Sequence, residues 1–167
     1  MVSGAMDTSD HERPGESRKE RVDRELIELL NEIRVALPGV QVLFAFLLTV
    51  PFASGYQRMD DLQRDLILIS LVSAALAIAC LVAPTAQHRI LFRARNKERL
   101  LFHANHLLLA GTVFLAIAMV ASVYVVSDIV IGGVTAGLIS AFLAGLFFVL
   151  WYVVPLRERL RLGRGRI

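Results

Sequence analysis

The sequence predicts an all-α polytopic membrane protein: four transmembrane helices preceded by a cytoplasmic amphipathic helix. Three observations lead there. Hydrophobic residues make up 56% of the 167-residue chain and mean hydropathy is +0.60, above the roughly half-apolar composition of soluble domains. The charges are segregated, so that long runs hold none and short blocks hold almost all of them. Four of the uncharged runs reach the roughly 20 residues needed to cross about 30 Å of hydrocarbon.

Residues 1–17 are polar, rich in Asp, Glu, Ser and Gly, and are expected to be a disordered tail. From Arg18 to Leu37 the pattern changes. Val22, Leu26, Leu29, Leu30, Ile33 and Leu37 recur at three- and four-residue spacing and fall on one helical stripe about 100° wide. Glu20–Arg24, Arg21–Glu25 and Arg24–Glu28 are pairs four apart on the other side. Residues 18–37 thus read as an amphipathic helix whose stripe must lie on the membrane surface, on the other helices or on a partner. Pro38-Gly39 is expected to break or kink the chain there.

The four-helix domain follows over 35–155, with spans of about 35–54, 66–86, 105–126 and 129–154 and a basic cytoplasmic tail over 156–167. The link around Ser127-Asp128 is so short that the third and fourth spans must be antiparallel neighbours. Either residue is placed to cap the fourth.

Arginine and lysine set the orientation. Six precede the first span, five (Arg89, Arg93, Arg95, Lys97 and Arg99) separate the second from the third, and five follow the fourth. The remaining two, Arg58 and Arg64, lie between the first and second spans beside Asp60, Asp61 and Asp65. Sixteen against two puts both termini inside. Trp151 and Tyr152 then fall at the inner boundary, Tyr56 and Tyr124 at the outer one. The first twenty residues lack the pattern of a cleavable signal peptide, so insertion is assigned to the helices themselves.

No catalytic or cofactor motif is present, and no enzyme activity is expected. The polar inventory of the spans is neutral: Gln41, Thr49, Ser70, Ser73, Thr112, Ser122, Thr135 and Ser140. Most are expected to bond a carbonyl one turn back or a neighbouring helix. A proton pump built on a buried carboxylate has no residue to use. His88, His103 and His106 have the spacing of metal ligands but lack thiolate or clear acidic company, so no metal is assigned. Cys80, the single cysteine, reads as a small packing residue.

Two ridges of small residues run along the fourth span. Gly133, Gly137, Ala141 and Gly145 form the first and contain a literal GxxxG; Gly132, Ala136, Ser140 and Ala144 form the second. The first is the candidate packing surface, within the bundle or between copies. Glu32, Arg34, Gln41, His88 and Arg89 form a candidate inner-face polar cluster, with a Glu32–Arg89 pair that would help hold the amphipathic helix against the bundle. The basic collar points to anionic phospholipid, not nucleic acid, despite a pI of 9.5.

ELIELLNEIRVALPGVQVLFAFLLTVPF (Glu25–Phe52), DLQRD (Asp61–Asp65), APTAQHRILFR (Ala83–Arg93) and KERL (Lys97–Leu100) resemble a bacterial family of small membrane proteins, domain of unknown function 6328. The similarity covers roughly Arg21 to Pro155. It implies a four-helix membrane fold without an established activity, in the bacterial inner membrane. Asn31, Glu32, Arg34, Pro38, Gly39, Gln41, His88 and Arg89 match the family pattern. The leading functional expectation is an accessory or scaffold protein that works by association, as a homo-oligomer or in a larger membrane complex. The alternatives are an oligomeric transporter or channel component and an anionic-lipid-binding, membrane-organising protein. Reporter fusions after Asp60 and after Ile167 should report opposite sides of the membrane; the same side for both would contradict the charge count.

Overall fold

The computed structural model describes residues 18–91 and 97–164. The expected tail over 1–17 lies outside the described residues. Helix α1 spans Arg18–Thr49, α2 Asp61–Leu91, α3 Lys97–Ile131 and α4 Gly133–Phe148. A π-helical segment, Val149–Val153, carries α4 on into α5, Val154–Arg164. Two 3₁₀ turns, Val50–Phe52 and Tyr56–Arg58, connect α1 to α2. Four stretches are long and apolar enough to cross a membrane: Ile33–Phe52, Asp61–Gln87, His103–Ile131 and Gly133–Glu158. These match the four spans read from the sequence, with ends displaced by a few residues.

Two expectations are corrected. First, Pro38-Gly39 does not end a helix, because α1 runs unbroken through it. The buried and half-buried positions Ile33, Leu37, Val40, Phe44 and Leu47 alternate by four and three residues, the spacing of one packing seam. The last two positions of the stripe read before Pro38, Ile33 and Leu37, therefore continue into the packed face after it. Proline removes the N–H that would bond the Arg34 carbonyl and crowds that carbonyl. Both Arg34 and Pro38 are exposed, on the side away from the seam, so the defect leaves the packed face intact.

Second, the turn between the third and fourth spans is not at Ser127-Asp128. Both residues lie in the last turns of α3, and the reversal falls on one residue, Gly132 (φ 103°, ψ 159°). That conformation belongs almost only to glycine. Its N–H donates to the Asp128 carbonyl (3.1 Å), and its own carbonyl accepts from the N–H of Ala136 (3.1 Å). No side chain caps α4. The expected antiparallel pairing nevertheless holds, since Thr112 and Tyr152, each twenty residues from Gly132, meet at 3.1 Å.

The core is a row, not a closed ring. Helix α2 packs most extensively on α3, α1 lies chiefly along α2, and α4 lies on α3. One buried cluster joins Ile33 and Val40 to Ala77 and Leu81; the other joins Leu47 to Ile67, Ala74, Ala118 and Val125.

The two glycines most often read as helix breakers should respond oppositely. At Gly132 a side chain meets the forbidden φ, so Gly132→Ala should lower stability by about 1–3 kcal/mol. At Gly39 an added Cβ meets nothing within 4 Å. Gly39→Ala should raise stability by roughly 0.5–1 kcal/mol through the helix preference of alanine. Thermal unfolding in mild detergent measures both.

Candidate functional site

The α2–α3 contact fixes everything around it. On α3, Ala104, Gly111, Ala118 and Val125 recur every seven residues, and all four are buried. On α2 the buried positions Ile67, Ser70, Ala74, Ala77, Leu81 and Pro84 alternate by three and four. Small side chains on both helices let the backbones approach closely. A Cβ built on Gly111 would stand 3.2 Å from Leu81 Cδ2 and 3.3 Å from Cys80 Cβ. The buried Ser70 hydroxyl crosses the interface to the Ala118 carbonyl at 2.9 Å and lies 3.0 Å from Ser122 Oγ. Ser122 in turn donates to the same Ala118 carbonyl at 2.7 Å.

Other hydroxyls follow the pattern expected of them. Thr49 donates to the Phe46 carbonyl (2.7 Å) and Thr112 to the Leu109 carbonyl (2.9 Å). With its own hydrogen so used, Thr112 Oγ1 accepts from Tyr152, which ties the π-helical segment to α3. A π-helical stretch shifts the register of the residues that follow it. Here the segment carries Trp151, stacked on Phe147 at 4.8 Å, and Tyr152.

Ser140 differs from these. It is 7% exposed, and its Oγ has no hydrogen-bond partner. It belongs to the lining of an open, apolar groove of about 770 Å³. The groove exists because α2 and α4 both lean on α3 and diverge from each other. Leu62, Leu66 and Ile69 of α2 form one wall, and Ala144, Phe147 and Phe148 of α4 the other. Ile117, Val120 and Ala121 of α3 make the floor, with Tyr124 and Tyr152 also in the lining.

At the Gly132 end the structure holds a polar clasp that the sequence reading missed. Asp60 caps α2: its carboxylate accepts from the Gln63 N–H (2.7 Å), and the Gln63 side chain accepts from the Asp60 N–H (3.2 Å). This is a capping box, and Asp-x-x-Gln was its sequence signal. Gln63 Nε2 also donates to Asp128 Oδ2 at 2.8 Å, which binds the start of α2 to the last turns of α3. Arg64 donates to the Gln57 carbonyl (3.2 Å) and lies 3.6 Å from Asp61, with its guanidinium 5.8 Å from the Tyr56 ring centroid.

The two small-residue ridges differ in burial within the chain. The second ridge packs against α3, with Ala136 and Ser140 its buried members. The first ridge, proposed for packing, stays open within the chain: Gly133, Ala141 and Gly145 are exposed and Gly137 half-exposed. A Cβ at Gly137 or Gly145 would meet nothing within 4 Å.

Of the inner-face cluster, Arg34 and Gln41 are exposed on one side of α1, seven residues apart and away from the seam. The side chains of Glu32, His88 and Arg89 lie outside the described residues. The described histidines His103 and His106 are exposed on α3. Among the described residues no three His, Cys, Asp or Glu side chains converge on a metal-sized site.

An all-α row of four spanning-length helices, with hydroxyls turned to helix pairing, has the make-up of a multi-pass membrane protein. The chain belongs to the family of unknown function DUF6328, which matches residues 15–155. No curated protein and no solved structure matches it.

A double-mutant cycle on Gln63→Ala and Asp128→Ala should return a coupling of about 1.5–3 kcal/mol, as a hydrogen bond to a charged group gives. Additive losses in detergent unfolding would mean that the clasp contributes nothing.

Proposed function

We propose that this chain is a non-enzymatic inner-membrane protein, both termini cytoplasmic, that works by association inside the bilayer as an accessory or scaffold subunit. The observation that carries the reading is the state of α4. Only Ala136 and Ser140 are buried along it, while Val134, Leu138 and Phe142 are 83%, 68% and 72% exposed. Bare apolar side chains alone would suit lipid. The open ridge of Gly133, Gly137, Ala141 and Gly145 beside them suits a second helix, because glycine lets backbones approach until van der Waals and weak hydrogen-bond contacts accumulate. A second copy presenting the same ridge about a two-fold axis is the simplest partner.

The transporter reading has less to build on, since Ser70, Ser122, Thr112 and Tyr152 spend their hydroxyls on one another or on backbone. Exposed Arg157 and Arg161 on α5 would meet anionic headgroups and hold the assembly at the inner surface.

Labelled copies reconstituted in liposomes should show energy transfer that depends on the protein-to-lipid ratio. Gly137→Ile with Gly145→Ile should abolish that transfer and leave the monomer's unfolding temperature nearly unchanged. Transfer that is absent in the wild type, or that survives both substitutions, would contradict the proposal.

A further inference from the structure

Helix α1, at one edge of the row, carries a polar face that nothing in the chain covers. Arg34, Pro38, Gln41 and Ala45 are all exposed and recur at four- and three-residue spacing, so they share one side of the helix, away from the packed seam. Arg34 stands at the start of the span Ile33–Phe52, where its long side chain can reach the headgroups. Gln41 is deeper. It lies eight residues into that span, about 12 Å along the helix from the same end.

An amide at that depth needs partners. Its two N–H donors and its carbonyl have left water, and the Gln41 side chain bonds none of the described residues. Thr49 on the same helix, by contrast, has turned its hydroxyl to the Phe46 carbonyl. Pro38 adds a second open group on this side, because it gives the Arg34 carbonyl no N–H to accept from. The chemistry of the partner follows: it must offer both a donor and an acceptor at the depth of Gln41. A phospholipid keeps its phosphate and ester oxygens near the end of the span and cannot do so. A second copy of this chain can. Copies inserted in the same sense carry the same amide at the same depth, and an amide is its own complement. Ala45, one turn further on, is small enough to let two backbones approach.

We infer that this face of α1 binds α1 of a second copy, with the two Gln41 amides bonded reciprocally about a two-fold axis along the membrane normal. Each amide then keeps one N–H, and the open Arg34 carbonyl lies back along the helix, the direction in which helical side chains lean. The two Arg34 guanidinium groups fall among headgroups, where anionic phosphates separate them. The surface is at the opposite edge of the row from the α4 ridge and shares no residue with it, so it stands whether or not α4 pairs copies. With α4 pairing copies as well, a consequence that rests on the α4 reading, parallel two-fold axes at the two edges generate an open row instead of a closed dimer.

The test uses the full chain in phosphatidylcholine liposomes at low protein-to-lipid ratio, with Cys80→Ala to remove the native thiol. Mild oxidation of Ala45→Cys should close a disulfide between copies. Phe46→Cys, at an exposed position about 100° further round the helix, should not cross-link. Adding Gln41→Leu to Ala45→Cys should lower the cross-linked fraction as an association about five- to tenfold weaker requires, the equivalent of two interhelical hydrogen bonds. The same change should leave the unfolding temperature of the monomer in detergent unchanged or raise it, because leucine suits an exposed position in a span. Gln41→Asn, which keeps the amide, should preserve most of the cross-link. Gly137→Ile with Gly145→Ile should leave it intact, so the failure of either surface is read separately. Equal yields from Ala45→Cys and Phe46→Cys, or an Ala45→Cys yield untouched by Gln41→Leu, would overturn the inference. So would a cross-link that disappears with the α4 substitutions, which would make contact at α1 a by-product of pairing through α4.

Discussion

The close approach of α2 and α3 is the constraint on which the rest of the structure depends. A Cβ at Gly111 would stand only 3.2–3.3 Å from Leu81 and Cys80, tighter than ordinary contact, and Ser70 reaches across to the Ala118 carbonyl. In lipid the hydrophobic effect does not drive helices together, so contact area and interhelical hydrogen bonds must do so. An interface of alanine, glycine and serine supplies both: the backbones come near, dispersion contacts multiply, and the hydroxyl finds a carbonyl within reach. Removing the closeness would lengthen the Ser70 bond and loosen both buried clusters, since each draws residues from α2.

With that pair fixed, the other helices have only its flanks to use. Helix α1 lays one unbroken seam mainly along α2, and α4 lies on α3. The two outer helices do not close a ring, which leaves the groove beside α4 and an open glycine ridge on it. Both functional proposals follow from this incompleteness. A closed bundle would have buried the ridge of Gly137 and Gly145 and filled the groove between α2 and α4.

Hydropathy made the four spans legible, because the cost of placing charge in hydrocarbon is large enough to dominate every local preference. Local signals were less reliable. Pro38-Gly39 looked like a boundary, yet the seam through Ile33, Leu37, Val40, Phe44 and Leu47 continues across it, and the proline sits on the far side. Ser127-Asp128 looked like a turn because the residues are polar. The turn needed a positive φ instead, and among the described residues only Gly132 supplies one. Asp128 has another task, accepting from Gln63. The two ridges of α4 are nearly equivalent in sequence, and which one packs is decided by the angle at which α4 meets α3. No residue pattern encodes that angle by itself. The groove and the stranded hydroxyl of Ser140 are consequences of the same angle. Ser140 was visible in the sequence as one of several neutral polar residues in the spans and as a member of the second ridge.

The register of α2 against α3 can be measured with the chain's own cysteine. The substitution Gly111→Cys would place a Cβ about 3.3 Å from that of Cys80, a few tenths of an ångström inside the usual 3.5–4.5 Å separation across a disulfide. Mild oxidation of the Gly111→Cys variant in nanodiscs should therefore close an intramolecular disulfide, seen as loss of both thiols to alkylation by mass spectrometry. Gly137→Cys, with nothing near its Cβ, should leave Cys80 free within the chain. If Cys80 and the thiol introduced by Gly111→Cys both remain alkylatable in a folded protein, α2 and α3 do not meet in this register, and the account of the core is wrong.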